Sequence, residues 1–142
     1  MISPEIWDEI FAPLYKDMID YAHSPGMDSW FHSCENFTKI VERIHNIGVD
    51  VINISPPDCK DLNYVSEKLQ GKQCFMLPID YQNTSISGAP ETIYEVAQKQ
   101  YDLLWDRNSG YIGCLEEYSC MGMSEENYQA CKNCFRVLKL KK

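Results

Sequence analysis

The chain has 142 residues, of which 44% are hydrophobic and 24% charged, a composition that excludes a disordered chain and indicates one globular domain with a core. Its formal net charge of -8 argues against a nucleic-acid partner, because binding a phosphate backbone requires clustered Lys and Arg. No apolar run reaches the ~18 residues that a membrane span needs, and no basic-then-apolar start indicates secretion, so we expect a cytoplasmic protein without membrane contact.

The first predicted element is a helix. Ser3-Pro4-Glu5 is typical of a helix start, with Ser3 as the cap and Pro4 at the first helical position. Six apolar residues then recur at helical spacing and predict one buried face: Trp7, Ile10, Phe11, Leu14, Met18 and Tyr21. Ser24-Pro25-Gly26 ends the helix, and a short strand is predicted from Met27 to Phe31, ending at His32.

The middle of the chain alternates between helix and strand patterns. A second amphipathic helix is predicted from four apolar residues at helical spacing: Phe37, Ile40, Val41 and Ile44. Gly48 ends it, and the β-branched run VDVINI (49–54) is typical of a strand buried on both faces. Asp61 to Leu69 predicts a short helix closed by Gly71, and CFMLPI (74–79) predicts the third strand.

The remaining elements repeat the same order. Gly88-Ala89-Pro90-Glu91 predicts the start of a long helix with five residues turned inward: Ile93, Val96, Ala97, Tyr101 and Leu104. YIGCL (111–115) predicts the fourth strand. Ser124-Glu125-Glu126 predicts the cap of a last helix, with four residues on its core face: Tyr128, Cys131, Phe135 and Leu138.

This order, one helix followed by four βα units, predicts an α/β domain over residues 1–142 with parallel strands and right-handed crossovers. Four such units form half of an eight-stranded barrel, and a complete barrel of this kind has ~250 residues. We therefore expect the chain to need a partner, either a second copy in a homodimer or a missing barrel half, to cover its open edges.

Polar and thiol side chains gather where the predicted strands end. They are His32, Cys34, Asp58, Asp80, Cys114, Glu116 and Glu117. The carboxyl ends of barrel strands carry the active site in proteins of this architecture. We interpret Asp80 and Glu116 as candidate catalytic carboxylates. The alternatives are a loop-anchoring or helix-capping carboxylate for Asp80 and a solvated loop pair for Glu116 and Glu117.

Four stretches of the chain carry a resemblance to a known family. They are FHSCENFTKIVERIHNIGVDVINISPP, GKQCFMLPID, SGAPETIYEVA and SGYIGCLEEYSCMGMSEENYQA. Together they resemble the carboxyl-terminal half of the uroporphyrinogen decarboxylase superfamily, which includes corrinoid-dependent methyltransferases that pass methyl groups to thiols. The resemblance extends from about Pro4 to Leu138 and implies half of a (β/α)8 TIM barrel.

The methyltransferase branch implies a zinc site. There an H-x-C pair and a more distal Cys bind the metal, and the matching residues here are His32, Cys34 and Cys114, or Cys120 if the loop register differs. Zinc favours tetrahedral N and S ligands and keeps one position open in a catalytic site, here for the acceptor thiol. The resemblance also implies a corrinoid carried by a partner protein. Glu35 stands where the family has Gly, so the loop is expected to differ in shape.

Two alternatives remain open. One is a decarboxylase-like enzyme that acts on a tetrapyrrole without metal, although Arg43, Arg107 and Arg136 all lie away from the predicted strand ends. The other is a non-catalytic, self-associating module. Cys131-x-x-Cys134 is interpreted as packing within the last helix, since a free Cys is among the most commonly buried residues.

Overall fold

The computed structural model describes residues 2–57, 60–115 and 119–139. The α-helices in these ranges are α1 (Pro4–Ile6), α2 (Ala12–His23), α3 (Val41–Asn46), α4 (Leu62–Leu69), α5 (Pro90–Leu104) and α6 (Glu125–Cys134). The strands are β1 (Trp30–Ser33), β2 (Val51–Ile54), β3 (Cys74–Leu77) and β4 (Tyr111–Gly113). Among the described helices, none is both long and apolar enough to cross a membrane.

The four strands form one parallel sheet in the order β1-β2-β3-β4, which confirms the predicted order of elements and the parallel pairing. Each strand pairs with the next one along the chain. Crossovers between parallel strands are right-handed in nearly all proteins, and with this strand order that handedness places the connecting helices on the same side of the sheet.

The two faces of the sheet differ sharply in burial. Ile52, Ile54, Phe75 and Leu77 point to the helix side and are fully buried in the main core cluster. The other face carries a row formed by His32, Asn53, Met76 and Ile112, which the pairing register aligns across all four strands. None of these four side chains is buried. We call this second surface the open face.

The predicted helix ends agree with the structure. The Ser3 hydroxyl accepts a hydrogen bond from the Ile6 N–H at 3.3 Å, and Ser124 accepts one from Asn127 at 3.1 Å. Both are capping interactions that satisfy otherwise unpaired N–H groups in the first helical turn. Gly48 follows α3 with a φ of +93°, a conformation that residues with a Cβ rarely adopt.

The predicted buried face of the first helix is wrong in part. α1 and α2 are joined by a π-helical segment, Trp7–Phe11, so the helix is continuous over residues 4–23. The residues that pack inward are Trp7, Phe11, Tyr15 and Ile19. Next to them lie five apolar residues that are 47% to 79% exposed: Ile6, Ile10, Leu14, Met18 and Tyr21. We call this row the exposed apolar stripe. Both stripes have helical spacing, so spacing alone does not reveal which one meets the core.

The predicted core face of the last helix is confirmed. Cys131 is buried, and Tyr128, Phe135 and Leu138 are partly buried and pack against the same core cluster. The other buried residues of α6 are Asn127, Ala130 and Cys134. Phe135 lies so close to Gly113 that a Cβ there would overlap its ring, which places Gly113 on the helix side of β4. A side chain larger than hydrogen at that position would push α6 away from the sheet.

Asp50 holds the end of the first helix against the sheet. Its Oδ2 accepts hydrogen bonds from the Ser29 N–H at 2.7 Å and the Ser29 hydroxyl at 2.8 Å, and it lies 2.7 Å from His23 Nε2. Partial burial acts to raise the pKa of the Asp50 carboxyl, but the hydrogen bonds from Ser29 and His23 together outweigh it and leave the pKa lowered.

Because the folded-state pKa of Asp50 lies below its unfolded value, its stabilising effect is present above pH ~4 and is lost as the pH falls through the folded pKa. We expect Asp50→Asn to lower the free energy of unfolding at pH 7 by roughly 0.5–1 kcal/mol, since the carboxyl is partly exposed. Urea unfolding at pH 7 and pH 3 measures this, and the variant should lose less stability on acidification than the parent. Asp28→Asn, at an exposed position nearby, is the control, and equal acid sensitivity of parent and Asp50→Asn would contradict the assignment.

Candidate functional site

His32 and Cys34 lie together at the carboxyl end of β1. His32 Nε2 is 3.2 Å from Cys34 Sγ, and both side chains are exposed. Two donors bound to one tetrahedral zinc ion lie roughly 3.6 Å apart, given Zn–N and Zn–S bonds of about 2.1 and 2.3 Å. The distance in the structure is close to that value, so the pair fits two positions of such a site. Its chemistry, one imidazole nitrogen and one thiol, is the donor set that zinc favours.

Asn53 orients the imidazole from the neighbouring strand. Its amide nitrogen donates to the Met76 carbonyl on β3 at 3.2 Å, so its amide oxygen faces His32 Nδ1, with which it forms a short hydrogen bond. An amide oxygen can only accept, and therefore the proton of neutral His32 lies on Nδ1. The Nε2 lone pair is then directed towards Cys34. Hydrogen bonding of the distal ring nitrogen is the usual way in which a metal-binding His is oriented.

Lys60 fixes the loops that follow β1 and β2. It is only 7% exposed, and its Nζ donates to the carbonyls of Cys34 and Ser55 at 3.2 Å and of Pro56 at 3.0 Å. The ammonium also lies 5.6 Å from the centre of the Phe37 ring, within the range of a cation–π interaction. Since the Cys34 carbonyl is one of its partners, Lys60 holds the backbone of the site.

Of the two predicted catalytic carboxylates, Asp80 lies within the described residues and Glu116 does not. Asp80 is fully buried, and its two carboxylate oxygens accept hydrogen bonds from the N–H groups of Gln82 at 3.2 Å and Asn83 at 2.7 Å. It thereby caps the π-helical segment Tyr81–Ser85, which corresponds to the loop-anchoring alternative. Glu116, like Glu117 and Asp58, lies outside the described residues.

Cys114 lies at the far edge of the sheet from His32. It directly follows β4, is partly buried, and its N–H donates to the Leu77 carbonyl at 3.0 Å. Three strand spacings separate β1 from β4, a distance of roughly 14 Å. In the described parts of the chain, no three His, Cys, Asp or Glu side chains form a group that could hold a metal ion. The structure therefore brings together His32 and Cys34 but not Cys114.

Two thiols of α6 are buried. Burial raises the pKa of Cys131 to about 11 and that of Cys134 to about 12, so both are protonated at neutral pH. Cys134 Sγ donates to the Cys131 carbonyl at 3.1 Å within the helix. This arrangement agrees with packing rather than metal binding. Cys120, the alternative third ligand, is exposed.

A cavity of about 310 Å³ beside His32 was not predicted. Aromatic rings form much of its wall: Trp7, Phe11, Tyr15, Phe31 and Phe37. Polar groups of the loop after β1, among them Asn36 and Lys39, lie at its border. The signal in the sequence is the four-residue spacing of Trp7, Phe11 and Tyr15. The predicted face includes Trp7 and Phe11 but not Tyr15. The site therefore combines a His–Cys pair with an adjoining aromatic cavity.

Comparison of the chain with protein-family models, with curated proteins and with solved structures gives no match.

The role of Asn53 can be tested through the tautomer of His32. In metal-free protein at a pH well above the ordinary imidazole pKa of ~6.5, we expect the nitrogen chemical shifts of His32 to show a proton on Nδ1. Asn53→Ala removes the acceptor and should shift the population towards the Nε2–H form. His45, whose Nδ1 lies 2.9 Å from Gln73 Oε1, is an internal control that should not change. A parent protein with the proton on His32 Nε2 would refute the orientation described here.

The role of Lys60 can be tested by Lys60→Met, which retains an apolar chain but leaves three carbonyls without this donor. We expect the free energy of unfolding in urea to fall by about 1–3 kcal/mol, with faster amide exchange in residues 34–37. Lys72→Met is the matched control, because Lys72 is exposed and its ammonium donates to the Lys68 carbonyl within its own segment of the chain. If both variants lost a similar free energy of unfolding, Lys60 would stabilise the fold no more than an exposed lysine does.

Proposed function

We propose that this chain forms the carboxyl-terminal half of a (β/α)8 barrel of the uroporphyrinogen decarboxylase superfamily and takes part in zinc-dependent transfer of a methyl group to a thiol. The observation that carries the proposal is the His32–Cys34 pair, with Nε2 and Sγ 3.2 Å apart at the carboxyl end of a parallel strand. This is the position at which barrel enzymes place their functional groups.

The fold supports the proposal in a second way. Four parallel strands with all crossovers on one side repeat the unit from which such barrels are built. The open face would then correspond to the barrel interior, and His32 would point into it beside Asn53 and Met76.

The residues of the chain have distinct parts in this proposal. His32 and Cys34 supply two ligands, Asn53 keeps the Nε2 lone pair available, and Lys60 holds the Cys34 backbone. Bound zinc would lower the pKa of an acceptor thiol so that it reacts as a thiolate near neutral pH. By resemblance, the methyl group would arrive on a corrinoid held by a partner protein.

A second candidate function arises from the same contacts. Cys34, His32 and Asn53 form a chain in which a thiol faces an imidazole whose other nitrogen is held by an amide oxygen. Nucleophilic thiols in enzymes are activated by a base oriented in this way. Without metal, Cys34 would then act as the nucleophile.

Zinc content decides between the two candidates. We expect protein purified without chelator to contain about one zinc per chain, and His32→Ala and Cys34→Ala to lose most of it, because each variant removes one of the two donors that the structure brings together. Cys74→Ala, a thiol on the same sheet, is the control and should retain the metal.

A parent protein without zinc under reducing conditions would overturn the metal site. In that case the rate of alkylation by iodoacetamide, compared between Cys34 and the exposed Cys120, tests the nucleophile instead.

A further inference from the structure

The aromatic cavity beside His32 has the size and the enclosure of a small-molecule pocket. Its volume of about 310 Å³ lies at the lower end of the range for such pockets, roughly 300–1,000 Å³. Helix residues 7–15, strand β1 and the loop after that strand all contribute to its wall. No member of the exposed apolar stripe is among the described residues that line it. The cavity and the stripe are therefore separate surfaces.

Aromatic rings in contact with one another form the apolar part of the wall. Tyr15 is stacked on Trp7 with ring centres 5.4 Å apart, and Phe31 meets Trp7 nearly at a right angle at 6.1 Å. Phe31 also meets Phe37 at 6.1 Å, with the two ring planes 78° apart. Stacked and edge-to-face pairs of this kind are favourable. The shape of the wall is therefore set by contacts within the chain and is formed before any ligand binds.

Trp7 brings an unpaired donor to this wall. Its side chain is only 2% exposed, and its Nε1 has no hydrogen-bond partner among the described residues. A buried Trp N–H usually finds a partner, because burial removes its hydrogen bond to water. Tyr15 and Phe11 lie within 22° and 14° of the indole plane, so they pack along its faces. An acceptor in the cavity therefore has to approach the indole along its edge, which is where Nε1 lies.

The charges at the border of the cavity favour an uncharged ligand. Glu35 and Lys39 line it with opposite charges, while the deeper part of the wall consists of aromatic and aliphatic side chains. A charged molecule would lose its hydration there without a compensating charge in the buried wall. An uncharged aromatic molecule would bury apolar surface against the rings, and a single acceptor on it would satisfy the indole N–H.

We propose that this cavity binds an uncharged aromatic molecule of one or two rings, with a carbonyl oxygen that accepts the hydrogen bond of Trp7 Nε1. The site goes beyond the methyl transfer proposed above. It does not depend on zinc, because Trp7 and the aromatic rings of the wall are not among the proposed metal ligands.

The probe for this site is 1-indanone, an uncharged ketone with two fused rings, and indane is the matched compound without the oxygen. Both are titrated into the chelator-treated full chain and into Trp7→Phe, which keeps an aromatic ring but lacks the N–H. We expect the ratio of the affinity for 1-indanone to that for indane to be about 2- to 10-fold higher in the parent, the factor that one net hydrogen bond provides. Comparing ratios removes the difference in hydration between the two compounds.

Nitrogen–proton NMR provides a second measurement that needs no variant. In the parent, 1-indanone should move the Trp7 indole N–H signal downfield, whereas indane should not. Trp105→Phe is the control variant, because Trp105 stacks on Tyr101 and does not line the cavity. It should keep the parental affinity ratio.

Four results would overturn the proposal. The first is a parent that binds neither compound at millimolar concentration, and the second is an equal affinity ratio in the parent and Trp7→Phe. The third is an upfield Trp7 N–H signal that 1-indanone leaves unchanged, which would place the N–H over the face of the Phe31 ring. The fourth is an affinity that falls as the protein concentration rises, which would show that a second copy fills the cavity. Since the protein is treated with chelator, none of these results depends on whether the chain binds zinc.

Discussion

The constraint on which the rest of this structure depends is the handedness of its crossovers. Parallel strands joined in simple sequence by right-handed connections place all their helices on one side of the sheet. The core therefore forms on that side, around Phe75 and Ile52, and the open face receives the partly polar row that includes His32 and Asn53. Parallel sheets are normally covered on both faces, and the open face of this sheet departs from that pattern among the described residues.

The candidate site is positioned mainly by residues of neighbouring strands and loops. Asn53 on β2 orients His32 on β1 and is itself held by a β3 carbonyl, while Lys60 links the loops after β1 and β2. These contacts hold the His32 imidazole and the Cys34 backbone in place relative to the neighbouring strands. An exposed His–Cys pair on a single loop would sample many geometries, and ordering it would cost conformational entropy when a ligand binds. In this chain the contacts of Asn53 and Lys60 order the pair when the chain folds, so that cost is not left to ligand binding.

The order of elements, the parallel pairing and the helix caps could be predicted because local signals determine them: Ser3, Gly48 and Ser124 act within a few residues of their own position. The buried face of the first helix could not, because its two apolar stripes have the same spacing and only the packing of Phe31 against Trp7 and Tyr15 distinguishes them. Asn53 and Lys60 could not be predicted for a similar reason, because the contacts of Asn53 with His32 and of Lys60 with the Cys34 carbonyl join residues more than 20 positions apart. Sequence spacing identified His32 and Cys34 but carries no information on what holds them.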